Sequence, residues 1–332
     1  LATVKEFCEK EVKEQCKEFD ATGQWPEEIN RKAIEMGLNA LDIPEEYGGI
    51  GLDKVTYAAL YEEMSKADAG LFTTMSATGL SFKPLMLAGT EEQKQRGADI
   101  ILNGGLGAFC LTEPMAGSDA SNNKTTAVKY GDEYVLNGRK CFITNGGVAD
   151  FYIITAMTDK EKGVKGMSTF FVEKGTPGLS SGNEENKMGI RTSNTADVVM
   201  EDVRVPASAM IGTEGKGFNI AMSTLDITRA LMCIGAVGIM QRAIDEAVAY
   251  SKQRVTFGQP IGKNQAIQFM IADMEIKKET ARQMGLHALR LQELGLPYAK
   301  ESAIAKCYGG DMAVQGALDA TQILGGYGYS RG

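Results

Sequence analysis

Four segments of this 332-residue sequence carry side chains whose types and spacing could do chemistry. The first is Phe109-Cys110-Leu111-Thr112-Glu113-Pro114-Met115-Ala116-Gly117-Ser118-Asp119. It starts with strand formers and ends in small residues. Such a turn can offer backbone N–H groups and the hydroxyls of Thr112 and Ser118 to the polar edge of a ligand; it also reads as a strand-turn with a Ser/Asp cap. The second is Lys140-Cys141-Phe142-Ile143-Thr144-Asn145-Gly146-Gly147. On a strand, Phe142 and Thr144 face the same side. An aromatic face beside a hydroxyl suits a planar heteroaromatic ligand, although Phe142 alone also fits a core. In the third, Gln253-Arg254-Val255-Thr256-Phe257-Gly258-Gln259-Pro260, Arg254 could contact a phosphate or simply complement a helix C-terminus. The fourth, Gln322-Ile323-Leu324-Gly325-Gly326-Tyr327-Gly328-Tyr329, also reads as an ordinary glycine helix stop.

Other chemistries lack their residues. The one histidine, His287, shares a helical face with Met284, Leu291 and Leu294, so a two-His metal motif is excluded and no metal site is expected. The cysteines (Cys8, Cys16, Cys110, Cys141, Cys233, Cys307) form no C-x-x-C pair and read as reduced thiols. The sequon Asn123-Lys124-Thr125 is then a chance match. G-x-S-x-G occurs once, Gly178-Leu179-Ser180-Ser181-Gly182, but Pro177 precedes it and Asn183-Glu184-Glu185-Asn186 follows. A nucleophile elbow needs a strand before and a helix after, so this reads as a plain glycine loop. There is no P-loop and no G-x-G-x-x-G after a strand. With 35 basic against 43 acidic side chains and no Lys/Arg block, nucleic acid is not an expected partner. Apolar runs are read as broken by charges before 18 residues, so no membrane span is expected. Leu1–Val12 is amphipathic and carries acids, unlike a signal peptide.

The elements that must position these segments change period along the chain. The length suggests two or three domains. Residues 1–106 read as a helical domain: Leu1, Val4, Cys8, Val12 and Phe19 keep one face apolar. Trp25-Pro26-Glu27-Glu28 opens a helix ending near Gly37, and two more follow, at about 54–68 and after the capping box Thr90-Glu91-Glu92-Gln93. Residues 107–207 hold several short strands, including a hairpin over Thr126–Gly138, with no helices between. That predicts a β-barrel or sandwich and not a doubly wound sheet. Residues 208–332 return to long helices, Phe218–Arg254, Asn264–Leu294 and Pro297–Leu324, an antiparallel bundle. The fold class is α+β multidomain, in the order α, β, α.

In this order and frame the segments resemble the acyl-CoA dehydrogenase family. The resemblance runs over essentially the whole chain. It is carried most specifically by Leu111-Thr112-Glu113-Pro114 with Ala116-Gly117-Ser118-Asp119, Ile143-Thr144-Asn145-Gly146, Lys187-Met188-Gly189-Ile190-Arg191, Glu201-Asp202-Val203-Arg204-Val205-Pro206, Arg254-Val255-Thr256-Phe257-Gly258 and Gln322-Ile323-Leu324-Gly325-Gly326. It implies a noncovalent FAD per subunit and a homotetramer. It implies that the backbone of Phe109 and Leu111 and the hydroxyl of Thr112 meet the flavin's pyrimidine edge. Ser118 resembles the family Ser near the flavin phosphates and thioester ligand. Phe142 stands where most members have Trp, beside the isoalloxazine, and Thr144 matches the Thr near flavin N5. Arg254, Thr256, Phe257 and Gln265 resemble contacts to the adenosine and pyrophosphate half. Some of these, with Gln322 and Gly326, reach the neighbouring subunit's FAD. Phe218, Asp226 and Arg229 match positions that hold the CoA arm.

Dehydrogenation of an acyl-CoA needs a carboxylate to take the weakly acidic α proton. The family takes it from a Glu in a Tyr-x-Glu-Gly-Thr-like segment, expected here beyond Gly332; a minority place it where this chain has Thr228, and Thr cannot serve. No catalytic base is therefore expected within residues 1–332, and Ser330-Arg331-Gly332 reads as the lead-in to a continuation. The implied function is α,β-dehydrogenation within fatty acid metabolism, electrons passing to an electron-transferring flavoprotein. The enzyme is expected in the bacterial cytoplasm, or the mitochondrial matrix if eukaryotic. Alternatives are an enoyl-CoA reductase running in reverse within a flavoprotein complex, or a non-catalytic FAD- and CoA-binding subunit.

Overall fold

The computed structural model describes residues 1–330; Arg331 and Gly332, the end of that lead-in segment, lie outside the described residues. The chain opens with α1 (Ala2–Phe7), a π-helical turn Cys8–Val12, and α2 (Lys13–Thr22). Val4, Phe7, Cys8, Val12 and Cys16 are buried along it. Then come α3 (Glu27–Glu35), α4 (Lys54–Ala67), α5 (Ala69–Ala88) and α6 (Glu91–Leu102). The Asp53 carboxylate caps α4 by accepting from the N–H groups of Val55 and Thr56, and the Thr90/Gln93 capping box forms at α6 as expected. The sequence reading missed α5. That stretch is buried nearly all round and carries Pro84, so it shows neither an amphipathic period nor an unbroken helical composition.

The central strands are β1 (Gly107–Cys110), β2 (Thr126–Tyr130), β3 (Glu133–Thr144), β4 (Phe151–Met157), β5 (Met167–Glu173), β6 (Leu179–Glu184), β7 (Thr195–Pro206) and β8 (Met210–Ile211). They form one mixed sheet in the order β6-β7-β3-β2-β4-β5-β8, with β1 parallel to β4. Its core is Leu136, Ile143, Ile154, Phe170, Val198 and Val203, all at 2% exposure or less. The Gly178–Gly182 segment, expected as a plain glycine loop, instead contributes to β6, paired along β7 with Ser180 opposite Val199. β6 lies at the edge of the sheet, and its Ser180, Ser181 and Gly182 are exposed.

The helices that follow are α7 (Gly217–Gln253), α8 (Gln265–Glu293) and α9 (Ala299–Leu324), with a short hairpin of β9 (Val255–Thr256) and β10 (Gln259–Pro260) between the first two. They close on small residues: a Cβ at Gly309 would lie 2.6 Å from Cys233 Sγ. Helix α7 is long and apolar enough to cross a membrane by length and composition, although Asp226, Arg229 and Arg242 interrupt its apolar run. Half of that window is buried in protein, where Cys233, Val237 and Met240 pack on Ala281 and Ala305. Among the described residues no disulfide links any of the six cysteines.

The chain divides into two compact units. One gathers residues 1–14, 53–72 and 226 onward; the other holds residues 15–52 and 73–225, including the whole sheet.

Candidate active site

In the sheet-containing unit, the first two segments lie side by side. β1 delivers Phe109, half-buried, and Leu111, buried, to a turn where Thr112 is half-buried and Ser118 is exposed. The Thr112 carbonyl accepts from the Cys141 N–H at 3.0 Å, which ties this turn to β3. One residue further on, Phe142 is 64% exposed with φ at 58°. A positive φ is uncommon for a bulky residue and marks a turn or strain. It coincides with a register shift between Lys140 and Ile143 against β7. A bulge therefore interrupts the regular strand at Cys141 and Phe142. Phe142 turns outward as a free aromatic face, and Thr144 is half-buried.

Asn145, also at positive φ, locks the end of the segment. Its side-chain amide donates to Thr74 O at 3.0 Å and Gly107 O at 3.1 Å, while its Oδ1 is buried with no hydrogen-bond partner among the described residues.

Behind the turn lies a polar cluster that the sequence reading did not single out. Lys140 is fully buried and Glu113 is 5% exposed. Lys140 Nζ donates to Glu113 Oε1 at 2.8 Å, to Leu111 O at 3.3 Å, to Thr155 Oγ1 at 3.1 Å and to Asn123 Oδ1. Glu113 also accepts from the N–H groups of Lys124 at 2.6 Å and Thr125 at 3.1 Å. Burial works to raise the Glu113 pKa, but Lys140 and these donors outweigh it and hold the carboxyl below its usual value. Burial pulls Lys140 below the usual lysine value. Four oxygens surround its Nζ, on Glu113, Leu111, Asn123 and Thr155, an arrangement that suits a three-donor ammonium. A signal existed: a lysine among buried neighbours in a strand. Beside it, burial pushes the Cys110 thiol up to about 12, so it is no nucleophile at neutral pH.

In the helical unit, the third and fourth segments converge. Arg254, Thr256 and Gly326 line one cavity of about 540 Å³ with Tyr250, Ile323 and Tyr327. Arg254 is exposed and makes no side-chain hydrogen bond or ion pair with a described residue. Phe257 and Gly258 form the two-residue tip of the β9–β10 hairpin, at φ 50° and 77°. Two positive φ values make this a type I′ turn, which favours Asn-Gly. Phe there carries a strained backbone, and its side chain is wholly exposed. Gln265, at the start of α8, and Gln322, near the end of α9, are exposed and do not line the cavity. His287 lines a different cavity, with Ile276, Glu279 and Met284.

Phe218, Asp226 and Arg229 all lie on α7, and all are half-buried. Asp226 and Arg229 form an ion pair at i,i+3. Thr228 lies between them in sequence and offers no carboxylate. Among the described residues, no cluster of His, Cys, Asp or Glu could hold a metal ion.

These residues fit a flavin dinucleotide: an outward aromatic face beside a backbone turn and a hydroxyl, and elsewhere an unpaired arginine at a cavity beside a glycine helix end. Family models match in three blocks: the acyl-CoA dehydrogenase N-terminal domain at residues 1–104, the middle domain at 108–203 and the C-terminal domain at 215–332. A short-chain-specific acyl-CoA dehydrogenase of Megasphaera elsdenii is 45% identical over 99% of this chain and 88% of its own. An acryloyl-CoA reductase (NADH) of Anaerotignum propionicum is 44% identical over 98% of this chain and 84% of its own. A chain in a solved structure of the electron transferring flavoprotein of Acidaminococcus fermentans, studied for flavin-based electron bifurcation, superposes with a TM-score of 0.96. It is 48% identical and covers 98% of this chain and 87% of its own. The chain belongs to the acyl-CoA dehydrogenase family, flavoprotein oxidoreductases that act on CH–CH bonds.

Proposed function

We propose that this protein is an FAD-dependent dehydrogenase of short-chain acyl-CoA thioesters that passes electrons to an electron-transferring flavoprotein. One observation carries the reading: the outward Phe142 face, one residue beyond the hydrogen bond that ties β3 to the Thr112 turn. The flavin supplies the acceptor for the β hydride. The chain's own residues do the rest. The backbone of Phe109 and Leu111 and the Thr112 hydroxyl hold the pyrimidine edge, and Phe142 covers one side of the ring system, with Thr144 beyond it. Arg254, Thr256 and Phe257, with Gln265, Gln322 and Gly326, hold the dinucleotide's other half.

Arg254 supplies a fixed positive charge for a pyrophosphate. Its lack of a described partner, and the exposed Phe257 tip, support an assembly in which a second copy completes that half, a homotetramer. Ser118, Phe218, Asp226 and Arg229 hold the CoA ligand. The α proton needs a carboxylate base in a dry pocket, which the family resemblance places beyond Gly332. The short-chain substrate is supported by the Megasphaera relative and the electron-transferring partner by the Acidaminococcus structure. The bacterial relatives support a cytoplasmic enzyme.

A second reading, reduction of an enoyl-CoA, is favoured by the acryloyl-CoA reductase relative. The test is anaerobic mixing of FAD-loaded protein with butyryl-CoA and, separately, of the chemically reduced protein with crotonyl-CoA. A purified, folded protein that takes up no FAD contradicts both readings.

A further inference from the structure

We propose that the buried Lys140–Glu113 ion pair, with Asn123 and Thr155, is a positioning device for the flavin: it fixes the Cys110–Thr112 backbone from behind and balances the charge beneath the pyrimidine edge. The inference rests on the flavin reading above and adds residues that touch neither flavin nor substrate.

Stability alone does not explain such a pair. Taking two ions out of water costs several kcal/mol each, and well-packed apolar residues in the same place are often as stable. What the pair does is held in its contacts. The Leu111 carbonyl accepts from Lys140 Nζ at 3.3 Å and from Asn123 Nδ2 at 3.4 Å. The Thr155 hydroxyl has one proton to share between the Cys110 carbonyl at 3.3 Å and Asn123 Oδ1 at 3.0 Å. A trans peptide is planar, with C=O and N–H on opposite sides. Turning the Leu111 C=O inward therefore turns the Thr112 N–H outward. The Thr112 C=O is fixed in its turn by Cys141 N–H. The turn that presents the Thr112 hydroxyl is thus held from two directions, and Lys140 is two residues from Phe142.

The charges matter separately from the geometry. The pair is neutral as a whole, but either partner alone leaves a unit charge in a medium of low effective dielectric, where it acts over several ångströms. In Lys140→Met, the N–H groups of Lys124 and Thr125 still hold the Glu113 carboxylate ionised. In Glu113→Gln, the Leu111 and Asn123 oxygens remain as acceptors for the Nζ protons. Reduced flavin carries more negative charge than oxidised flavin. An unbalanced ammonium therefore favours it, and an unbalanced carboxylate opposes it.

The experiment measures the midpoint potential and FAD dissociation constant of the FAD-loaded full protein and of Lys140→Met, Glu113→Gln and the double variant. The expected result is opposite shifts: Glu113→Gln more positive, Lys140→Met more negative, and the double variant back near the unaltered protein. Each single variant should bind FAD about tenfold or more weakly. A purely structural role would weaken FAD binding in all three and move the potentials one way or not at all, which overturns the proposal. Should either single variant fail to fold, Thr155→Val keeps the Lys140–Glu113 contact and removes the hydroxyl that bridges Lys140, Asn123 and the Cys110 carbonyl. It should melt as the unaltered protein does, bind FAD a few-fold more weakly and shift the flavin absorption band; unchanged affinity and spectrum overturn the proposal. Failure of the unaltered protein to bind FAD strikes the flavin reading itself. Normal binding with potentials that do not split strikes only the positioning role.

Discussion

On the proposed reading, the two groups of candidate residues hold parts of one cofactor, and they are built in opposite ways. In the sheet, the residues that present Thr112 and Phe142 are held from inside their own chain, down to a fully buried lysine with four oxygen partners. In the helical bundle, Arg254 has no side-chain partner among the described residues and Phe257 stands wholly exposed on a strained turn. The first half is preorganised, which keeps the cost of ordering low when a ligand arrives. On the proposed reading, the second half is completed by another chain, and such a split site would tie cofactor binding to assembly.

The largest expected effect concerns the base that completes the pocket. Protein consisting of residues 1–332 should be reduced by butyryl-CoA about 10²- to 10⁴-fold more slowly than protein carrying the family's Glu-containing segment after Gly332, as expected for a missing general base. Stopped-flow bleaching of the flavin compares the two; equal rates would place a base within these residues.

The contrast itself is tested by paired phenylalanines. Phe151→Ala in the sheet core, where the side chain is fully buried, should cost about 3–5 kcal/mol of stability. Phe257→Asn should leave melting of the fold unchanged or raise it slightly, because Asn-Gly suits a type I′ turn. It should nevertheless weaken FAD binding and lower the oligomer fraction seen by light scattering. A melting loss at Phe257 matching that at Phe151 would erase the distinction.

Arg254→Ala should weaken FAD about 10- to 100-fold, the scale of a hydrogen bond to a charged group, with no change in melting of the apo protein. Isothermal titration with FAD measures it.

The smallest expected effect is on pH. The Glu113 carboxyl is held below its ordinary value of 4.5. Its stabilisation is therefore fully present above that value and fades as pH falls through the lowered folded value. Melting curves from pH 7 to 3 should show a shallower acid loss in Glu113→Gln than in the unaltered protein.

Much of this was legible in the sequence, for reasons that differ by element. The capping box at Thr90 and the glycine stop at Gly325 are local hydrogen-bonding solutions, so local sequence announces them. The long helices α7 to α9 declare themselves by length. Helix α5 did not, because burial on nearly every side removes the amphipathic signal. The Phe142 bulge was invisible for a different reason: its positive φ comes from the pairing of β3 with β7, residues 195–206, and no nearby residue encodes it. The Lys140 cluster joins positions 111, 113, 123, 140 and 155, which are brought together only by the sheet. Residue types singled out the candidate segments, and the tertiary fold supplied what stands behind them.

The most direct test of the split-site account is FAD titration of the purified protein, followed by absorbance and by light scattering at micromolar concentration. The account predicts a yellow protein with about one FAD per chain, present in dimers or tetramers. A folded protein that stays colourless with excess FAD, or a monomer carrying one tightly bound FAD, would contradict it.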